Sequence, residues 1–452
     1  MPNGDLESII FSEIIFAPVP WRTEKKMKYK KTFLRSNILL PDFGACDAGA
    51  YSVIACDQFT SDRSYWDKAY AEAGTGLSTI NMIIPEINLP ECDERMIEAA
   101  DRYMNESLPS LICRPGAMIY LERTLSRGGM RRGIVGMIDL EDYDYSASSS
   151  SLVRPTEETV LERIPPRVAV RKDAPIELPH VMLFVNDADG SVFGKISGDR
   201  SKYETAYDFD LMLGSGHVKG SYITAENIEY IETRFSEMAC AESMKKLYGL
   251  DGYPPMVFAV GDGNHSLATA KAVYENIKGN IGDAALEHPS RYALCEIVDI
   301  NEPSIEFEPI YRVMFGVDPA DLMQSFELYL DGIDKKAAET FPGQSFVMCS
   351  GNSEKEFQTD RSIHPLPVGT LQPFIDEYLK GHPGTAVDYV HGENEAKAIA
   401  RKQNAAAFIF EGMKKEDLFR TIILSGPLPR KTFSMGEALD KRFYLEARRI
   451  RD

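Results

Sequence analysis

The chain of 452 residues lacks the usual marks of secreted, membrane-spanning and nucleic-acid-binding proteins. Its seven cysteines stand singly, without a C-x-x-C pair, which argues against a disulfide framework and a structural zinc site. Its apolar runs are all shorter than the ~20 residues of a membrane span. A formal charge of −19 repels phosphate backbones and anionic headgroups, so we expect no nonspecific binding to nucleic acid or membranes.

The composition that remains is that of a globular protein, with 44% hydrophobic and 26% charged residues. Single reduced thiols are typical of the cytoplasm, which we therefore predict as the location. The apolar patch near the start follows Asp5 and Glu7, where a signal peptide would carry positive charge. Residues 1–27 are therefore predicted to be an N-terminal extension.

The pattern of strands and helices predicts a mixed α/β protein with α+β character. Residues 28–316 carry a strand in "YSVIACDQF" (51–59) and a hairpin in "AMIYLERTL" and "RGIVGMIDLEDY", and are predicted to form a mixed-sheet core domain. Residues 317–452 alternate strands with helices, which favours a smaller C-terminal α/β layer with parallel strands. The polar stretch 146–175 between two strands is long enough to predict a functional or mobile loop.

The segment "FAVGDGNHSLATAK" (258–271) contains the strongest local motif. An apolar strand ends at Gly261 and Gly263, and a helix is predicted to begin at about Asn264. The first turn of a helix binds phosphate through free N–H groups and its dipole. Further donors at this turn are Asn264, His265 and Ser266, with Lys271 two turns away. Asp262 suits a divalent cation or a substrate proton, and both are roles in phosphoryl transfer.

Other interpretations stay open beside this one. Taken alone, a Gly-x-Gly turn before a helix is more often structural than catalytic. The G-N-H element of binuclear metallophosphoesterases is excluded, because their other ligand clusters are absent from the sequence. Cys56 is predicted to be an inert thiol, and Asp57-Gln58 either a turn or a ligand contact. Arg312 and Lys431 either bring positive charge to an anion or rest on aromatic rings at the surface.

The motif and several segments around it resemble the family catalogued as domain of unknown function 1015. The hallmark of that family is a strand, D-G-H-H-R-x-x-x-A and a helix, which correspond here to Asp262 through Ala270. "VRPTEETVLERIPPR" is similar to the family's mobile-loop segment through Glu157 and Thr159, and "EIVDINEPSIEFEPIYR" and "LPRKTFSM" match later segments. The likeness runs from about residue 30 over nearly the whole chain. Asn264 and Ser266 replace the family's His and Arg.

The D-G-H-H-R pattern is also similar, over some ten residues, to the phosphate-binding turn of the ParB and sulfiredoxin superfamily, which includes free-serine kinases. This resemblance implies ATP or ADP with Mg²⁺, bound by its phosphates at the turn from Gly261 to Ser266. It also implies a small-molecule substrate with a hydroxyl group, such as free serine. The rival hypothesis is a noncatalytic module that senses a nucleotide or metabolite.

The implied roles follow the matching positions. Asp262 organises the metal or the acceptor, His265 steadies the transferring group, and Glu157 is a base or a metal ligand from the loop. Because Ser266 replaces an arginine, the positive charge for the phosphates has to come from other side chains, for which the candidates are Lys271, Arg154, Arg163 and Arg171.

Overall fold

The helices and strands of the protein come from a computed structural model that describes residues 30–336, 341–402 and 404–451. The predicted extension, residues 1–27, lies outside this part. None of the helices in the described part is both long and apolar enough to cross a membrane. The α-helices are α1 (Ala48–Tyr51), α2 (Arg63–Ala73), α3 (Glu94–Ser107), α4 (Ile164–Arg171), α5 (Phe193–Gly198), α6 (Ala225–Met238), α7 (Ala241–Tyr248), α8 (Asn264–Ile281), α9 (Pro319–Lys336), α10 (Pro367–Gly381), α11 (Glu393–Ala400) and α12 (Leu418–Ser425).

The strands fall into two large sheets and two short pairs, in agreement with the predicted mixed α/β class. Those of the first part are β1 (Phe33–Leu34), β2 (Ser36–Pro41), β3 (Leu111–Ala117), β4 (Ile119–Thr124), β5 (Met130–Asp139), β6 (Val153–Pro155), β7 (Ile176–Glu177), β8 (Met182–Val185), β9 (Glu204–Asp210), β10 (His217–Tyr222), β11 (Phe258–Asp262) and β12 (Tyr292–Asp299). Those of the last part are β13 (Phe307–Phe315), β14 (Phe341–Ser350), β15 (Ser353–Ser362), β16 (Ala386–His391), β17 (Ala405–Phe410), β18 (Phe433–Met435) and β19 (Arg448–Arg449).

The first sheet is mixed and has the order β6-β11-β8-β12-β5-β4-β10-β9, with β1 also paired to β5. Strand β11 lies between β6, which is parallel to it, and the antiparallel β8. The predicted hairpin is confirmed as β4 and β5, joined through Gly128 and Gly129, which both have positive φ. The predicted strand at 51–59 is wrong: α1 ends at Tyr51, and Ile54 makes a single bridge to Phe443.

The second sheet has the order β15-β14-β17-β13-β16, with β18 added on β13. All of these pairs are antiparallel, so the prediction of parallel strands is wrong. Helix α9 joins β13 to β14, which run in the same direction but have β17 between them. Helix α11 joins β16 to β17 in the same way around β13. Each crossover therefore skips a strand, a feature that alternation along the sequence does not show.

The residues of the two sheets do not separate along the chain at the predicted boundary, 316/317. Strand β13 (Phe307–Phe315) already belongs to the second sheet. The chain then returns to the first part after β18, because β19 pairs with β7 and Ala447 bridges to Leu39. The predicted loop 146–175 is also more regular than expected, since it contains β6 and α4.

The returning C-terminal segment is held in the first part by a buried ion network. Arg442 is 3% exposed, and its guanidinium donates to Glu296 and Glu446, each at 2.5 Å. The hydroxyl of Tyr207 donates to the other oxygen of Glu446 at 2.5 Å. Arg442 therefore compensates the charge of both carboxylates, which have lost their contact with water, while Arg131 lies 3.9 Å from the other oxygen of Glu296.

We expect Arg442→Met to lower the free energy of unfolding by about 3–5 kcal/mol, because it leaves the buried Glu446 without its cation and leaves Glu296 with the more distant Arg131. The measurement is urea denaturation followed by circular dichroism. The matched control is Arg127→Ala, which removes an ion pair to Glu437 with side chains 75% and 44% exposed. That change should lower the free energy of unfolding by less than about 1 kcal/mol. An equal loss of unfolding free energy in the two variants would contradict the structural role of the network.

Candidate functional site

The abrupt junction of β11 with α8 confirms the predicted strand-turn-helix. Gly263 is the residue before the helix and has φ of 81°, a left-handed conformation that glycine adopts without strain. A Cβ at this position would lie 3.1 Å from the Cα of Val181. The helical bonding begins with the N–H of Leu267, which donates to the carbonyl of Gly263. The first-turn N–H groups before it therefore supply the positive end of the helix dipole.

This helix end opens on a polar pocket of about 180 Å³. The side chains and backbone around it come from four separate parts of the chain. Seven of the eleven residues to which the sequence resemblance assigns a role are among them. The pocket is lined by Asp57, Glu86, Glu157, Glu158, Arg163, Arg167, Asp262, Gly263, Asn264, His265 and Ser266.

The other predicted residues do not line this pocket. The ammonium of Lys271 donates to the carbonyl of Leu140 at 2.9 Å and pairs with Glu275 on the same helix. The buried guanidinium of Arg154 donates to backbone carbonyls, those of Ser151, Pro254 and Pro255. Arg171 pairs with Glu177. Gly261 is needed for packing, because a Cβ there would lie 2.5 Å from the ring of Phe184.

The positive charge at the pocket comes instead from α4 and the residue before it. Arg163 is exposed and lines the pocket directly. Arg167 follows one turn later, donates to the carbonyl of Arg163 at 2.8 Å and pairs with Glu86. Of the four positively charged residues that were predicted to replace the family's arginine, Arg163 therefore lines the pocket. Arg167, which was not predicted, lines it as well.

Glu157 is held at the pocket by a loop that follows α12. It forms a parallel bridge with Leu428, and its carboxylate accepts the backbone N–H of Lys431. Burial, reinforced by the charge of Asp262, raises the pKa of Glu157 to about 7. A carboxyl with such a pKa gives and takes protons in the physiological range.

Arg312 supports this loop from the second sheet. Its guanidinium is fully buried and donates to the carbonyls of Arg430 and Lys431 at 2.9 and 2.8 Å. It also lies 4.8 Å from the centre of the Tyr389 ring, over which the ammonium of Lys431 lies as well. Arg312 is therefore a buried support of the loop beside Glu157 and neither an anion ligand nor a surface residue.

Asp262 faces the pocket at the end of β11. One of its oxygens accepts the N–H of Gly263 at 3.0 Å, and the other lies 3.5 Å from the ammonium of Lys441. Since the charge of Asp262 raises the pKa of Glu157, the two carboxyl groups act on the same small volume. The pair is therefore suited to share a proton or a cation.

His265 is kept neutral by its surroundings. Burial, with the positive charges of Arg167 and Arg163, lowers its pKa to about 4, although Asp57 acts in the opposite direction. Its Nε2 accepts the N–H of Val160 at 3.4 Å, which links the helix to the loop segment. Near pH 7 the ring is therefore a neutral imidazole.

Asn264 brings an unpaired acceptor to the pocket. Its Nδ2 donates to the hydroxyl of Thr156 at 3.3 Å, and that hydroxyl donates to the carbonyl of Val260 at 2.6 Å. The Oδ1 of Asn264 is buried and has no hydrogen-bond partner within the described part of the chain. Such an oxygen calls for a donor or a cation from a ligand.

The charges of the pocket favour an anion that arrives with a cation. Five carboxyl side chains and two guanidinium groups line it, so a phosphate alone meets net repulsion. The residues described in the structure contain no group of three or more His, Cys, Asp or Glu able to hold a metal by themselves. Mg²⁺ needs no such cage, because it is usually held by one or two carboxylates together with substrate phosphates. Asp262, Glu157 and the free Oδ1 of Asn264 fit that requirement.

Sequence reasoning missed Arg167, Glu86 and His180, whose Nε2 lies 3.0 Å from the Ser266 hydroxyl. One signal for Arg167 was present: in "RIPPR" it stands four residues after Arg163, so a helix places both on one face. Glu86 and His180 come from distant segments without a local motif. Only the folded arrangement brings Glu86 to the polar pocket and His180 to Ser266.

A model of the family described as protein of unknown function, DUF1015, matches residues 43–378 of the chain. The chain belongs to the DUF1015 family. The matched range contains the α8 turn and the loop with Glu157 and Arg167, as the sequence resemblance predicted. The C-terminal return with Lys441 and Arg442 lies outside the DUF1015 match.

No curated protein matches the chain in sequence. Solved structures with some likeness include a mutant free serine kinase in complex with AMP, at 11% identity and a TM-score of 0.36 over 68% of this chain and 90% of that one. A conserved hypothetical protein from Pyrococcus furiosus has 12% identity and a TM-score of 0.33 over 70% and 94%. A C-terminally truncated SbnI from Staphylococcus aureus has 9% identity and a TM-score of 0.31 over 67% and 82%. The site of this DUF1015 protein is therefore interpreted from its own residues.

We expect sulfate, which keeps its charge over this pH range, to bind the pocket about threefold to tenfold more tightly at pH 6 than at pH 8. The pKa of Glu157 near 7 means that its carboxyl is protonated at the lower pH and repels the anion only at the higher one. His265 stays neutral across this range because its pKa is about 4. The measurement is isothermal titration calorimetry at constant ionic strength.

The control pair is Glu157→Gln and Glu158→Gln. The first should bind equally at both pH values, and the second, at an exposed neighbouring position, should keep the pH dependence. Persistence of the full pH dependence in Glu157→Gln would show that another group is responsible.

Proposed function

We propose that this protein transfers the terminal phosphoryl group of ATP or ADP to the hydroxyl of a small metabolite such as free serine. The observation that carries the proposal is the pairing of two features in one pocket. A helix N-terminus with Arg163 and Arg167 lines this pocket, and so does Glu157, which has a pKa of about 7. The first feature suits phosphate, and the second suits removal of a hydroxyl proton.

The phosphates are held at the start of α8. The N–H groups of the first turn donate to phosphate oxygens, and Gly263 lets the backbone approach closely because it has no side chain. Arg163 and Arg167 offset the charge that spreads over the transferring group. His265, whose imidazole is neutral near pH 7, contributes a polar ring without adding charge.

The proton of the acceptor goes to Glu157. The acceptor oxygen forms a bond to the terminal phosphorus while the bond from that phosphorus to the bridging oxygen breaks. The electrons of the broken bond remain on the leaving nucleotide, and the carboxylate of Glu157 takes the hydroxyl proton. The N–H of Lys431 and the buried Arg312 behind it fix the direction of this carboxylate.

Asp262 supplies the second carboxylate of the proposed site, with a role different from that of Glu157. Together with Oδ1 of Asn264, it would hold a Mg²⁺ ion, which would neutralise phosphate charge. The ammonium of Lys441, 3.5 Å away, attracts this carboxylate and holds it in place.

The pocket also supports an acceptor that is small and zwitterionic. Its volume of about 180 Å³ leaves little space beyond phosphates and a short molecule. Asp57 and Glu86 can receive an ammonium group, and Arg163 can receive a carboxylate. Free serine carries both of these groups beside a primary hydroxyl.

We expect Asp262→Asn to lower turnover about hundredfold or more, while nucleotide binding falls much less, because the lost charge acts mainly on the reacting groups. The assay combines the full chain, ATP or ADP, Mg²⁺ and pooled hydroxy metabolites, with products read by phosphorus NMR. The control is Glu275→Gln, which removes a carboxylate on α8 that pairs with Lys271 outside the pocket. This control should retain wild-type turnover.

Full activity of Asp262→Asn would contradict its role at the reacting groups. Stabilisation of the wild-type protein by nucleotide in a thermal shift assay, without any phosphorylated product, would refute the kinase. That outcome would support the rival function, a noncatalytic sensor of a nucleotide or metabolite.

A further inference from the structure

We propose that Ser266 is also a nucleophile that cleaves esters of small apolar acyl groups, with His180 as its general base. This inference does not depend on phosphoryl transfer. It comes from a hydrogen-bonded pair of side chains and from a second cavity, neither of which the proposed kinase chemistry uses.

The first observation is the position of the pair. The Oγ of Ser266 lies 3.0 Å from Nε2 of His180, in the first turn of α8. His180 is 6% exposed and comes from the residues before β8, so the two side chains meet across the packed junction of helix and sheet. A hydroxyl and an imidazole at this distance are the minimal unit of an activated serine.

The second observation is the group that orients the imidazole. Nδ1 of His180 lies 3.0 Å from the hydroxyl of Tyr444, which also accepts the backbone N–H of Cys56 at 3.1 Å. When Nδ1 carries the ring proton, it donates to the tyrosine oxygen, and Nε2 accepts the hydroxyl proton of Ser266. Tyr444 thus occupies the place of the third member in a serine-histidine triad.

The third observation is an apolar cavity of about 160 Å³ on the other side of Ser266. Ser266, His180 and Tyr444 lie on its wall, and the rest of the wall is largely aliphatic. Among those aliphatic residues are Ile84, Leu89, Val170, Ala174, Leu267 and Leu294. A short acyl chain fits such a cavity and gains free energy by leaving water.

The two cavities share three lining residues. Glu86, Arg167 and Ser266 line both the polar pocket and the apolar cavity. An ester whose acyl chain enters the apolar cavity therefore places its carbonyl beside the first turn of α8. The N–H groups of that turn can stabilise the oxyanion, as backbone donors do in acyl transfer.

The chemistry balances with water as the only co-reactant. Oγ of Ser266 bonds to the carbonyl carbon, its proton moves to Nε2 of His180, and the negative charge collects on the carbonyl oxygen. The carbon–oxygen bond to the leaving alcohol then breaks, and that alcohol takes the proton from His180. Water repeats the sequence on the acyl-serine, which releases the carboxylic acid and restores the hydroxyl.

The test is labelling of the full chain with a fluorophosphonate probe, followed by mass spectrometry of its peptides. We expect one adduct on Ser266, and at least about tenfold less labelling in Ser266→Ala. The control Ser64→Ala should label like the wild type, because that hydroxyl is exposed and donates its hydrogen bond to Asp62 rather than to an imidazole. A second measurement is hydrolysis of p-nitrophenyl acetate, butyrate and decanoate, in which the short esters should react faster.

A variant at His180 risks unfolding, so Tyr444→Phe tests the positioning role with little change in shape. We expect its labelling rate to fall several-fold while its hydrolysis retains the same preference for short acyl chains. Wild-type protein that is folded and unlabelled at Ser266 would overturn the proposal. So would Ser266→Ala protein that hydrolyses the short esters at the wild-type rate.

Discussion

The site depends on one constraint, the change of direction within a single residue between β11 and α8. Gly263 makes this turn with φ of 81° and has no side chain to collide with Val181. The turn leaves the first N–H groups of α8 facing a pocket rather than the protein core. Asp262 before the turn and Asn264, His265 and Ser266 after it then line the same pocket.

The rest of the site is brought to this turn by distant parts of the chain. Glu157 gains its pKa of about 7 from burial and from Asp262, while the loop that presents a backbone N–H to it rests on Arg312. The C-terminal return supplies Lys441 and Tyr444 from beyond the second sheet. The second sheet therefore supports the pocket through Arg312, and hydrophobic packing between the two sheets is continuous from Phe184 to Phe433.

Local features were predictable from the sequence because they depend on neighbouring residues. The strand, the two glycines and the helix at 258–271 follow from turn chemistry, and the β4–β5 hairpin follows from paired glycines. The antiparallel second sheet was not predictable, since a helix between two strands does not reveal that β17 or β13 lies between them. The same limit applies to the charged and polar side chains. The contacts of Arg154 and Lys271 with backbone carbonyls, and that of His180 with Ser266, join distant residues, so the local sequence does not indicate them.

The central claim is that a Mg²⁺-nucleotide binds with its phosphates at the first turn of α8. Hydrogen–deuterium exchange of the full chain, with and without ATP and Mg²⁺, measures this directly. The account predicts slower exchange in peptides that cover residues 258–271 and 154–167, with little change in the second sheet. Unchanged exchange in both segments under saturating nucleotide, or protection confined to another part of the protein, would contradict it.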